Sequence, residues 1–269
     1  MKPAAFEYFR ASNAVQAVGL LQQYREAKIL AGGQSLVPLM NFRLSRPSAL
    51  VDISGITELA RIVPTAHGLR LGALVRHQDL VDNPMVRETI PVLAEAAAHI
   101  GHWAVRNRGT VGGSLAHADP AAELPAVMVA LGADIVVMDA EGERKIPARA
   151  FFVGFYTTTL GSDALIVAIE MPRPREPVGF YEVVRRHGDF ALAGALVEAG
   201  ESTGAVTWFG VTPAPVRMAW TALAEDEGLR RQQWERLTRD LDFAGDEAFR
   251  RPLAVTVAER AYQRARGGH

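Results

Sequence analysis

The sequence predicts an α+β protein built in two parts, and three observations carry that reading. The first 55 residues alternate strand, helix and strand. Three prolines in "PRPREP", residues 172–177, then interrupt the chain amid charges, as a domain boundary would. Beyond them, strand-like runs come first and helices afterwards, the order of a small α+β domain. At 269 residues the chain is long enough to bury two cores.

Element by element, Ser12 to Gln23 places Val15, Val18, Leu20 and Leu21 at helical spacing, with Ser12 or Asn13 as N-cap. "KILAGG" reads as a short buried strand ending at Gly32. Ser35 then opens a helix carrying Leu36, Leu39, Met40 and Phe42, and "ALVDIS" is the next strand. "LRLGALVRHQDLVDN" runs from strand into helix, and "VRETIPVLAEAAAHIG" reads as one helix with a proline near its first turn. After a glycine-rich stretch, "PAAELPAVMVALGADIVVMD" is helix then strand. Pro120 and Pro125 suit the helix start, where a missing N–H costs little. "DALIVAIEMP" is a strand that stops at the proline run. Past it, "GFYEVVRR", "FALAGALVEA" and "AVTWFGV" are three strands, followed by helices around Leu229–Asp240 and Pro252–Arg266. The basic ending "ERAYQRARGGH" complements the carbonyl end of a helix.

Composition excludes several classes. With 29 basic and 30 acidic residues, the chain presents no broad field for nucleic acid or an anionic membrane. It has no cysteine, which rules out disulfides, thiolate metal sites, cysteine nucleophiles and any cysteine-ligated iron–sulfur cluster on this polypeptide. "MKPAAFEYFRAS" lacks the apolar stretch of a signal peptide. The longest apolar run, Leu124 to Met138, contains Asp134 and falls short of the ~20 residues a span requires. The expectation is a cytoplasmic protein without integral membrane association.

Two stretches stand out: "AGGQSLVPLMNFRL" from residue 31 and "RGTVGGSLAHADPAAELP" from residue 108. Each sets a glycine pair beside small hydroxylated residues (Ser35; Thr110 and Ser114) at the junction of two elements. Adjacent glycines permit positive φ and bring main-chain N–H groups close to a ligand. A helix N-terminus just beyond adds free donors, so the pair forms an anion site that needs no Lys or Arg. One such pair is most simply a turn; two with the same surroundings indicate a shared ligand. The chain contains neither GxGxxG nor GxxxxGK[ST], and no G-x-S-x-G elbow. His99 and His102, three residues apart without a carboxylate at ligand spacing, read as a helix end rather than a metal site. Leu124, Val127, Met128 and Leu131 read as a core stripe.

Taken together, "KILAGGQSLVPLMNFRLSRPSALVDIS", "VRNRGTVGGSLAHADPAAELPAVMVALGADI" and "GDFALAGALV" resemble the FAD-binding medium subunit of molybdenum hydroxylases. That family includes the carbon monoxide dehydrogenase medium chain and the flavin domain of xanthine dehydrogenase. The resemblance implies an FAD domain of the vanillyl-alcohol-oxidase (PCMH) type over residues 1–173, with subdomains of about 1–55 and 56–173, and a C-terminal α+β domain over 178–269. FAD would lie between the subdomains. Ala31, Gly32, Gly33, Gln34, Ser35 and Leu36 would form one pyrophosphate loop, and Thr110, Val111, Gly112, Gly113 and Ser114 the other. Glu123 matches an acidic residue near the nucleotide, Leu160 an apolar residue by the ring, and Asp189 and Phe190 groups beside the isoalloxazine. Where some members carry a lysine, this chain has Glu182 or Val183.

Gln34 stands in the neighbourhood where some wider relatives tether flavin through histidine, so the resemblance implies non-covalent FAD. It also implies partners: a large subunit with molybdenum cofactor, a small subunit with two [2Fe–2S] clusters, and assembly as a dimer of heterotrimers. The flavin chain passes electrons to an external acceptor. The alternatives are a free-standing FAD oxidase or dehydrogenase, and a structural subunit whose cleft has lost its flavin.

Overall fold

The computed structural model describes residues 2–267; Met1 and the Gly268–His269 tip of the basic C-terminal run lie outside the described residues. The first section forms a parallel three-stranded sheet because a crossover separates each strand from the next. Its elements are β1 (Glu7–Arg10), α1 (Ala14–Gln23), β2 (Lys28–Leu30), α2 (Leu36–Asn41) and β3 (Ala49–Asp52), in strand order β1-β3-β2. Asn13 is the N-cap of α1, its side chain accepting from the Gln16 N–H at 2.9 Å. The helix buries Ala17, Val18 and Leu21, while Val15 points outward, 72% exposed.

The next section builds a five-stranded antiparallel sheet from strands far apart in sequence, in the order β4-β5-β10-β6-β7. β4 (Ile62–Thr65) and β5 (Gly68–Gly72) form a hairpin, followed by α3 (His77–Asp82), α4 (Pro84–Thr89), α5 (Pro91–His99), α6 (Trp103–Arg106), α7 (Val111–His117) and α8 (Glu123–Leu131). β6 (Asp134–Asp139), β7 (Gly142–Pro147), α9 (Ala148–Phe151), β8 (Phe152–Gly154), β9 (Thr157–Thr158) and β10 (Leu165–Pro172) complete it. One face of this sheet packs Val136, Leu165 and Val167 against α1 and the three-stranded sheet. The other face packs Leu69, Leu71, Ile135 and Ile169 against the helices.

After Pro172, the chain enters a four-stranded antiparallel sheet of β11 (Val178–Val183), β12 (Ala193–Ala199), β13 (Thr203–Phe209) and β14 (Val216–Thr221). α10 (Glu227–Leu237) and α11 (Glu247–Ala265) cover one face around Trp208, Trp220 and Trp234. From its other face, Phe180, Leu196 and Phe209 join the core formed by α5 and α8. The α+β class is the one expected, with strands and helices segregated in layers.

Several elements differ from expectation for identifiable reasons. The single helix expected through Pro91 is two, α4 and α5, broken at Ile90 (φ −141°, ψ 68°), because proline disfavours helical backbone in the residue before it. The last helix starts five residues before Pro252, with Asp246 as its N-cap, so the proline sits inside the helix and not at its start. β14 makes the C-terminal sheet four strands instead of three.

α10 and α11 are locked by a buried ion pair. Arg230 donates to both carboxylate oxygens of Glu259, at 2.9 and 2.6 Å, and the Trp234 indole N–H donates to the same group at 3.0 Å. Burial pushes the Glu259 pKa upward, but the Arg230 and Trp234 hydrogen bonds outweigh it and hold the carboxyl below its ordinary range. Glu259→Ala would strand a buried guanidinium without its counter-charge, and should cost about 3–5 kcal/mol in urea unfolding followed by circular dichroism. A loss under about 1 kcal/mol would mean that water reaches the pair.

Candidate functional site

β2 delivers the first glycine stretch to the end of the parallel sheet. There the chain turns through Ala31–Gln34 before Ser35, the N-cap residue of α2. Gly33 has φ +70°, the left-handed region glycine tolerates best. Gln34 folds back, its side-chain amide donating to the Gly32 carbonyl at 3.2 Å. Gly32 has no room for a side chain: a Cβ there would overlap the Arg108 carbonyl oxygen and lie 3.0 Å from the Gly109 Cα. The two glycine stretches therefore touch, backbone against backbone.

The second stretch is held by pairing with the segment after β5. The Gly112 N–H donates to the Ala73 carbonyl at 2.8 Å, the Val111 N–H to Val75 at 3.0 Å, and the His77 N–H to Gly109 at 3.1 Å. Thr110 caps α7, its hydroxyl accepting from the Gly113 N–H at 3.1 Å. Here the expected positive φ is corrected: Gly112 and Gly113 lie in the first turn of α7, and neither is left-handed. Helix capping by Thr110 fixes the right-handed conformation, and the small residue at 112 serves close packing. A Cβ on Gly112 would come 2.6 Å from that of Ala73.

Beside the contact lies a cleft of about 610 Å³. Its lining includes Ala31, Gly32, Gly33 and Gln34 of the first loop, Asp52 and Ser54, and Arg76, Asn107 and Arg108. Arg76 donates to the Arg108 carbonyl and its own N–H bonds Asp79 at 3.0 Å. Burial first, and then the Arg108 charge, pull the Arg76 pKa down, as two cations crowded together require. Asp52 accepts from the Tyr8 hydroxyl and the Ser54 N–H; these bonds overcome burial and hold its pKa below the ordinary range. The expectation of an anion site that needs no Lys or Arg is thus corrected: Arg76 and Arg108 share the cleft lining with the first glycine loop.

The remaining predicted residues fall into two groups. Ser35 and Leu36 begin α2 behind the loop, Thr110 and Val111 are buried under it, and Gly113 and Ser114 are half-buried on α7. Glu123 begins α8 and is only 5% exposed. Burial, reinforced by the nearby Glu182 carboxyl, pushes its pKa up to about 8. Glu182, where the family lysine was considered, takes a hydrogen bond from His99 Nδ1 at 3.0 Å, and its other oxygen is buried without a partner. Leu160 packs half-buried on the main core, while Asp189 and Phe190 sit exposed in the turn between β11 and β12. His99 and His102 end α5 and precede α6, and no group of three His, Cys, Asp or Glu among the described residues could hold a metal.

Sequence reasoning missed Arg76, Asn107, Arg108, Asp52 and Ser54. "RNRG", immediately ahead of "TVGG", was a legible sign for two of them. Arg76 had none, since only a long-range bridge to Thr110 places it.

Close-approach glycines in a cleft that Arg76 and Arg108 also line suit a phosphate-bearing cofactor, and the fold around them is that of a flavin-binding oxidoreductase subunit. The chain belongs to the family described as FAD binding domain in molybdopterin dehydrogenase, which matches residues 4–174. Over 198 residues it is 47% identical to the 6-hydroxypseudooxynicotine dehydrogenase complex subunit alpha of Paenarthrobacter nicotinovorans, covering 72% of this chain and 67% of that one. Against the carbon monoxide dehydrogenase medium chain of Hydrogenophaga pseudoflava it is 34% identical, with 98% of both chains covered. Among solved structures, quinoline 2-oxidoreductase from Pseudomonas putida 86 matches with TM-score 0.93 at 34% identity, covering 99% of each chain. The protein is thus an FAD-binding medium subunit of the molybdenum-hydroxylase type. No helix among the described residues is long and apolar enough to cross a membrane.

Proposed function

We propose that this chain is the electron-exit subunit of a cytoplasmic molybdenum hydroxylase. It would receive electrons from two [2Fe–2S] clusters on a small partner and pass them to an external acceptor. A large partner holding molybdenum cofactor would oxidise the substrate, and the complex would be a dimer of heterotrimers. The observation that carries this reading is the meeting of the two glycine stretches at Gly32 and Arg108–Gly109.

In that reading Ala31–Leu36 and Thr110–Ser114 cradle the FAD pyrophosphate, and Arg76 and Arg108 balance its charge. Glu123 stands near the nucleotide, Leu160 packs by the ring, and Asp189 and Phe190 lie beside the isoalloxazine. When bound, FAD supplies the ability to take electrons singly and release them in pairs. The protein's task is to bind and orient it, and Gln34 in the first loop leaves the cofactor untethered. The absence of cysteine places every thiolate-held cluster on another polypeptide. The division proposed is residues 1–173 for the flavin part and 178–269 for the rest.

Affinity purification from the native host tests this directly. The expected result is co-recovery of a large molybdenum-containing chain and a small iron–sulfur chain. Acid precipitation of the same material should leave a yellow supernatant of free FAD over a colourless pellet. Full turnover of an organic substrate by this chain alone would establish the free-standing oxidase instead. Flavin remaining in the pellet would overturn non-covalent binding.

A further inference from the structure

A buried imidazole adjoins the contact between the glycine stretches. His77, the first residue of α3, is 6% exposed. Its ring lies so close to Gly109 that a Cβ there would be 2.8 Å from both Cε1 and Nδ1. Gly32 abuts the same peptide, with only 2.8 Å between a Cβ built on it and the Arg108 carbonyl carbon. The first glycine loop and the His77 ring therefore both lie against the Arg108–Gly109 segment.

His77 also grips the next residue. Its Nε2 is 3.0 Å from the Thr110 carbonyl oxygen, and its own backbone N–H donates to Gly109. A carbonyl only accepts, so Nε2 carries the proton. Nδ1 is buried with no partner, a cost that the ring's place against Gly109 makes unavoidable. Thr110, fixed at its carbonyl by His77, in turn caps α7 through its hydroxyl. One side chain thus sets both the spacing of the two loops and the attitude of the second.

We propose that His77 is a positioning residue for FAD: through its Nε2–H and ring it clamps residues 108–110 against the first glycine loop, and tight cofactor binding depends on that clamp. The proposal rests on the reading of these loops as the pyrophosphate site. It predicts an asymmetry between two amides. The amide nitrogen of glutamine reaches the position of Nε2, whereas that of asparagine reaches only Nδ1.

FAD titration of the flavin-stripped full-length chain, followed by flavin fluorescence, separates them. His77→Gln should bind within about threefold of wild type and His77→Asn about tenfold or more weaker, the scale of one hydrogen bond. Both stripped variants should melt at closely similar temperatures. Equal affinities for the two variants, or losses that simply follow their melting temperatures, would overturn the role of His77. Gly109→Ala reads the same contact independently of histidine. Its methyl drives into the ring, so binding should weaken about tenfold, and unchanged affinity would equally overturn the clamp. A wild-type chain that took up no FAD would defeat the cofactor assignment itself, and this proposal with it.

Discussion

Gly32→Val should abolish FAD binding while the far-UV circular dichroism of the chain stays near wild type. A Cβ at position 32 would overlap the Arg108 carbonyl oxygen and approach the Gly109 Cα to 3.0 Å, and neither is the free end of a side chain that could swing aside. The Arg108–Gly109 segment is not free to retreat, because His77 holds Gly109 and Thr110 by two hydrogen bonds and its ring lies against Gly109. The two loops must separate, and the cleft they share opens with them. A β-branched residue makes the separation larger than alanine would. Affinity should fall by more than about 100-fold, equivalent to roughly 2.7 kcal/mol. The core is not involved, since the cleft-lining loop lies outside the packed clusters and only Ala31 leans on one. Gly19→Ala is the internal control: a Cβ there meets nothing within 4 Å on the exposed side of α1, so FAD affinity should stay at the wild-type value. Unit FAD stoichiometry in Gly32→Val, measured from the bound-flavin absorbance, would show that the loops need not touch to hold the cofactor.

How far the sequence foretold this site depends on the range of the interaction involved. The first loop was readable because all its causes are local: an apolar strand, a glycine pair and a helix within one short stretch. The second was misread in conformation for a reason also present in the sequence. Thr110 stands three residues before Gly113, the spacing of a side-chain cap to a helix N–H, which makes "VGGS" the opening of a helix. Arg76 could not be placed, since its position follows from antiparallel pairing with residues more than thirty positions on. The same limit explains the strands that were missed. β1, "EYFR", is mostly exposed and lacks the apolar alternation that marks a strand, so only its partner β3 makes it one. Pro252 misled in the other direction: Asp246 as N-cap and Glu247 in the first turn are the better start signals. Glu123 stands out in the sequence only by resemblance, and its charge state follows from burial first and then from Glu182, contributed by the C-terminal sheet.

That charge state leads to an expected pH profile for the flavin-free chain. Glu123, with a pKa pushed up to about 8 by burial and by Glu182, keeps its proton in the folded state where the unfolded chain has lost it. Its contribution to stability is complete below the ordinary carboxyl pKa and is lost as pH rises through about 8. The full span is roughly 4–5 kcal/mol. His77 acts with the opposite sign. Burial, with the charges of Arg76 and Arg106 adding, pulls its pKa down to about 4, so its contribution is complete above 6.5 and is lost as pH falls towards 4. That span is roughly 3 kcal/mol. Between about pH 4.5 and 6.5 each group changes by one proton in opposite directions, and the slopes cancel. Wild type should therefore show a plateau in melting temperature across that window. A decline follows from pH 6.5 to 8, where of these two groups Glu123 alone still titrates. Glu123→Gln removes the alkaline decline and unmasks His77, so its melting temperature should be flat above pH 6.5 and fall below it. His77→Gln does the reverse, leaving a decline that runs from pH 4.5 upward. Melting curves for the three chains at half-unit steps from pH 4.5 to 8.5 read the crossing directly. Three parallel profiles would mean that neither group is buried as the fold places it, and that water reaches Glu123 and the His77 ring.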